Sequence, residues 1–154
     1  MKLLVVTNLY PPQELGGYGR SIADFVWGLQ ERGHQVQVLC SDASYLGPGG
    51  DGPSGEPVDR CLMLKGDYQQ GVRVLDDPIA IAEIDRVNAQ LLNARLDQGS
   101  WDGILVGNLD LLGFELLNHL LAPGIPVLEH LGFVIPPFAP EQWPQHSHYR
   151  LVSA

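Results

Sequence analysis

Basic residues are scarce in this sequence: 9 Lys and Arg stand against 18 Asp and Glu, for a formal charge of −9. Neutralising a nucleic-acid backbone takes clustered Lys and Arg, so the composition argues against a nucleic-acid footprint and against a polybasic membrane patch. Cysteine is nearly absent. Cys40 and Cys61 cannot make a disulfide framework, no CxxC pair suggests zinc, and two structural thiols are expected. Long apolar runs are missing too. The run after Met1-Lys2 stops at Thr7-Asn8, too short for a signal-peptide core, and nothing approaches the ~20 residues of a membrane span, so a cytoplasmic chain is expected.

What remains is a chain of 154 residues with 45% hydrophobic and 18% charged residues, ordinary for one globular domain. Lys2–Thr7 is a continuous apolar run, as expected of a strand covered on both faces, which favours a parallel sheet. From Arg20 to Arg32, Ile22, Phe25, Val26 and Leu29 fall at helical spacing, and Gly33 follows as a stop. His34–Cys40 reads as the second strand of a βαβ unit.

Ser41–Arg60 is rich in Gly and Pro with little apolar content, and is expected to be a long excursion or mobile loop. Cys61–Lys65 and Val72–Leu75 suggest two short strands, as a hairpin or an edge addition. Asp77-Pro78 gives an N-cap and a Pro at the first helical position. That helix is expected to reach about Leu96, with Ile81, Ile84, Val87, Leu91 and Ala94 on its buried face. Asp102–Gly107 reads as a strand, Leu111–Leu121 as a helix, Pro126–His130 as a strand, and His148–Val152 as a last strand that the chain end cuts short. The prolines of the 130–148 loop fit either a stiff cover for a site or a surface crossover. Alternating strands and helices predict a Rossmann-like, doubly wound α/β domain with a mainly parallel sheet over residues 1–154.

Gly16, Gly17 and Gly19 open the first helix. Such a turn suits a diphosphate, because glycine lets backbone N–H groups approach and a helix N-terminus favours negative charge; a tight entry turn explains the same residues. It is not GxGxxG. With Cys40-Ser41 and no acidic residue ending the second strand, the dinucleotide-oxidoreductase reading loses ground.

The opening KLLVVTNLYPPQELGGYGRSIADFVWGLQERGHQVQVLCS resembles the start of family-4 glycosyltransferases of GT-B fold, with their Tyr-Pro-Pro segment, Gly-Gly loop and Arg-Gly-His before the second strand. WDGILVGNLDLLGFELLNHLLAPGIPVLEHLG is similar to that family's run to a strand-end His, and HYRLVSA to the strand after it. The resemblance implies one half of a GT-B fold, an acceptor-side domain of a retaining, nucleotide-sugar-dependent transferase of bacterial type. Its nucleotide-sugar-binding C-terminal domain would be absent and the chain truncated. The implied partners are that domain, a nucleotide-diphosphate sugar as co-substrate, and a glycan, lipid or small-molecule acceptor. No cofactor and no metal are implied, and this part alone would be inactive.

On that reading Gly16 and Gly17 face the donor phosphates and His130, at a strand's carboxyl end, is the catalytic candidate, with a satisfied structural His as the other reading. Asn8 and Tyr10 line the crevice mouth, Tyr18 packs over the turn, and Arg20 meets a phosphate or acidic acceptor or is merely exposed. Asn108 and Asp110 contact acceptor hydroxyls or cap a helix; the family often has a His where Asn108 stands. A non-catalytic Rossmann-like binding or interaction module and a GT-B-fold sugar-nucleotide epimerase are the alternatives.

Overall fold

The structure, a computed structural model, describes residues 1–113, 115–131 and 148–152, with backbone alone for Tyr18, Leu131 and the last of these segments. Six strands form one parallel sheet: β1 (Lys2–Val6), β2 (Gln35–Ser41), β3 (Val58–Leu62), β6 (Gly103–Val106), β7 (Val127–Leu131) and β8 (His148–Val152). Their order is β3-β2-β1-β6-β7-β8. A separate antiparallel hairpin joins β4 (Gly66–Asp67) to β5 (Arg73–Val74). Without that hairpin the order is the doubly wound 3-2-1-4-5-6, whose direction reverses between β1 and β6.

Strand alternation sorts the core onto two faces. Leu3 and Val5 of β1 pack with Ile22, Ala23 and Val26 of α1 (Tyr18–Glu31), together with Val36, Val38 and Leu105. Leu4 and Val6 point the other way, into a larger cluster with Leu92 and Leu96 of α2 (Pro78–Gln98) and Leu116, Leu117 and Leu120 of α3 (Glu115–Leu121). Each fully buried Val, Leu or Ile among them stabilises the fold by about 1.5–3 kcal/mol. The apolar run of β1 therefore reflects helices on both faces.

Two helix boundaries follow from local chemistry. Gly33, at φ 79°, ends α1 where a side chain would be strained. Asp77 caps α2, its carboxylate accepting from the Ile79 N–H at 2.9 Å, with Pro78 next.

Other segments differ from the sequence expectation. The edge strand is Val58–Leu62 rather than Cys61–Lys65, and it joins the main sheet parallel to β2. The segment after β2 is ordered: Ala43 and Glu56 are fully buried within it. Its low apolar content is offset by polar ties, described below. The buried stripe of α2 is Ile84, Asn88, Leu92 and Leu96, and Ala94 is exposed. Asn88 belongs there because its side chain acts as a strand partner, accepting from the Met63 N–H and donating to the Met63 carbonyl, both at 2.8 Å. Residues 111–113 are a turn rather than the start of α3, with Leu111 at φ 60° and Gly113 at φ 92°.

Candidate functional site

In an open α/β sheet the ligand crevice lies beyond the carboxyl ends of the strands where the winding reverses. Here that is between the loops that follow β1 and β6. A Cβ on Gly107 would lie 2.7 Å from both Thr7 Oγ1 and Ile22 Cγ1. Glycine is thus required there for α1 to sit against the sheet. Thr7 Oγ1 is buried beside it and has no hydrogen-bond partner among the described residues.

One step further out, the two loops are tied together. The Asn8 N–H donates to the Asn108 carbonyl at 2.7 Å. Asn8 Nδ2 donates to the Tyr68 hydroxyl at 2.8 Å and to the Asp110 carbonyl at 3.2 Å, while Oδ1 accepts from the Leu9 N–H. Tyr68 also donates to the Asp110 carbonyl at 3.3 Å. Asn108 Oδ1 accepts from the Asp110 N–H at 3.1 Å and its amide donates to the Asp110 carboxylate at 3.3 Å. Asn8, Asn108 and Asp110, singled out separately in the sequence, form one network, and Tyr68 completes it. Leu111 follows in the left-handed region, a strained setting for Leu, and its carbonyl accepts from the Lys65 N–H at 2.6 Å.

The helix entry above this floor is open. Among the described residues no side chain caps α1 at Gly17, no acidic residue occupies its first turn, and a Cβ on Gly16 or Gly17 would meet nothing within 4 Å. Gly16 needs to be glycine, with φ 63°. Gly19 is close-packed, a Cβ there lying 3.4 Å from the Leu9 carbonyl. Arg20 is exposed and paired with Glu14 at 2.9 Å, a hydrogen bond that raises the guanidinium's pKa. The Tyr18 side chain and the loop after Leu131 lie outside the described residues.

The loop between β1 and α1 is laced from beneath. Arg60 of β3 donates to the carbonyls of Tyr10 (2.9 Å), Pro11 (2.6 Å) and Gly50 (3.1 Å), and to Gln13 Oε1 at 3.4 Å. Gln13, fully buried, donates to Asp42 and to the Gly47 carbonyl and accepts from the Ala43 N–H. Glu56, also fully buried, accepts from the Tyr10 hydroxyl at 2.6 Å, Trp27 Nε1 at 3.1 Å and the Ser54 N–H at 2.9 Å. Tyr10, expected at the crevice mouth, is instead buried: desolvation, reinforced by Glu56, drives its phenol far above the usual range. Asn8 is buried as well. Nearby, burial pushes the Cys40 thiol up to about 12, so it is an inert core group.

His130 lies on the α1 side of β7, since its neighbour Glu129 is buried on the other side with Val127. Its ring packs on Phe25 at 5.1 Å between centroids, tilted by 58°. Phe25 is 38% exposed, against the expectation that it joins the core. The contact is about 12 Å along α1 from Gly17, by the helical rise, so His130 flanks the Gly-Gly turn rather than touching it. Desolvation lowers the pKa of His130, which keeps the ring neutral at pH 7. Among the described residues no cluster of His, Cys, Asp and Glu could hold a metal, and no helix is long and apolar enough to cross a membrane. A cleft of about 520 Å³ lined by Lys2, His34, Gln37 and Trp101 lies at the opposite end of the strands, away from this crevice.

These features define a Rossmann-like α/β domain of the kind that forms half of a GT-B fold. Among solved structures the chain is similar to MurG of Acinetobacter baumannii, with a TM-score of 0.53 at 16% identity. The likeness covers 97% of this chain and 45% of MurG, and at that identity it is a likeness of fold. No family model matches the chain, and no curated protein does.

Proposed function

We propose that this chain is the acceptor-side domain of a nucleotide-sugar-dependent, retaining glycosyltransferase, with Gly16 and Gly17 facing the donor diphosphate. The observation that carries the reading is the N-terminus of α1, opening beside the reversal of the sheet with no side-chain cap and with free space over both glycines among the described residues. Backbone N–H groups aimed into such space stabilise a leaving diphosphate without reorganising. Neutral His130 can accept a hydrogen bond from a sugar hydroxyl on the flank of the crevice, and Asn108 and Asp110 are the acceptor-side candidates. The resemblance to family-4 enzymes supports the retaining, nucleotide-sugar-dependent reading, while the half-length likeness to MurG supports one half of a GT-B fold and not that family specifically.

A second reading, a non-catalytic binding module, draws on one observation: Asn8 and Tyr10 spend their polar atoms on protein partners. Product analysis with nucleotide sugars separates the two. The chain alone is expected to transfer nothing, whereas the complete enzyme transfers sugar and loses transfer on Gly17→Trp or His130→Ala. Normal transfer after either substitution removes that residue from the site, and an epimerised nucleotide sugar as product would point to the epimerase alternative.

A further inference from the structure

Every residue from Gln69 to Ile79 is exposed: Val72 is 69% exposed, Val74 68% and Ile79 80%, with Leu75 less so at 38%. This stretch contains β5, which among the described residues is paired on one edge, with β4. The Leu75 N–H donates to the Lys65 carbonyl at 2.9 Å, and Arg73 lies opposite Asp67. Backbone groups alternate along a strand, so Arg73 and Leu75 address β4, while Val72, Val74 and Asp76 point their N–H and C=O groups outward. An exposed strand edge flanked by apolar side chains is a template for another strand.

We propose that the strand edge at 72–77 pairs antiparallel with the same edge of a second copy of this chain. The outward groups fix which registers are open, because residues facing each other must both point outward or both inward. A two-fold axis at Val74 would set Arg73 against Leu75 and Val72 against Asp76, mismatching charge and apolar surface. An axis at Leu75 sets Leu75 against Leu75 and Arg73 against Asp77 of the second copy, and bonds Val74 to Asp76; the pairing ends there, because Pro78 opens α2 and has no N–H. Arg73 lies opposite Asp67 but forms no ion pair within 4 Å among the described residues, and the Leu75 register brings it a second carboxylate, that of Asp77. The side chain of Asp77 keeps a second oxygen beyond the one that caps α2. Such an interface is isologous and closes on itself.

Sedimentation velocity from about 1 µM to about 500 µM tests this, since so small an interface belongs to the weak class. The wild-type chain is expected to shift from monomer to dimer across that range. Arg73→Asp, which sets like charges together, and Val74→Pro, which removes an outward N–H while leaving the β4 bonds intact, should each weaken the dimer by tenfold or more. A Leu75→Cys chain carrying Cys61→Ser should crosslink to itself under oxidised glutathione, because unbonded antiparallel pairs bring Cα atoms to about 4.5 Å, within disulfide reach. Val72→Cys in the same background should not. A chain that stays monomeric at about 500 µM, a dimer indifferent to both substitutions, or crosslinking at residue 72 rather than 75 would overturn the proposal.

Discussion

Gly107 shows how a single missing Cβ shapes the site. With Thr7 Oγ1 and Ile22 Cγ1 both 2.7 Å from where that atom would be, Gly107→Ala must push α1 off the sheet. It should cost about 1–3 kcal/mol in urea unfolding, the range for overpacking a close contact. Gly17→Ala is the matched control. Gly17 is already helical, at φ −89° and ψ −8°, in open space among the described residues, so the variant's stability should stay within about 0.5 kcal/mol of wild type. His130 makes a pH prediction. Its folded pKa lies below the unfolded value of about 6.5 because burial disfavours the charged ring. The unfolded chain therefore binds the proton first as pH falls: the stability contribution is complete above about 6.5 and is lost as pH drops through the folded pKa. Titration of the ring by NMR should place its pKa below 6.5, and His130→Phe should remove that part of the pH dependence.

At the scale of elements, the loop between β1 and α1 is held by groups far away in sequence. Arg60 contributes several of its N–H donors to carbonyls of that loop and of the following excursion. Arg60→Ala should cost about 2–4 kcal/mol and speed hydrogen exchange across residues 9–17 and 42–56 together, because the part-buried carbonyls of Tyr10 and Pro11 and the exposed one of Gly50 lose charge-assisted bonds. If only one of the two segments loosened, the lacing would not couple them. Elements with a local cause were legible in the sequence: the apolar run of β1, the Gly33 stop, and the Asp77-Pro78 cap. Those with a distant cause were not. Val58–Leu62 is an edge strand whose residues Asp59 and Arg60 spend their side chains on Gln37, Arg95 and loop carbonyls, so no alternation marks it. Asn88 looks like a surface residue until Met63 is beside it. Tyr68, Glu56 and Gln13 support the site in the same way, through partners that only the fold brings beside them.

For the whole molecule, the parallel order with its reversal between β1 and β6 puts Gly16 and Gly17 at the crevice that the fold offers to ligands. Of the residues that the sequence singled out, Asn8, Asn108 and Asp110 meet in the floor, the two glycines form the open entry, and His130 stands on the flank. On the proposed function this entry receives a diphosphate. Titrating inorganic pyrophosphate into the isotope-labelled chain while following backbone amide shifts is the test. Saturable shifts centred on residues 16–21, abolished in a folded Gly17→Trp chain, are the predicted result. Shifts confined to other surfaces, or equal in the wild-type and Gly17→Trp chains, would contradict it.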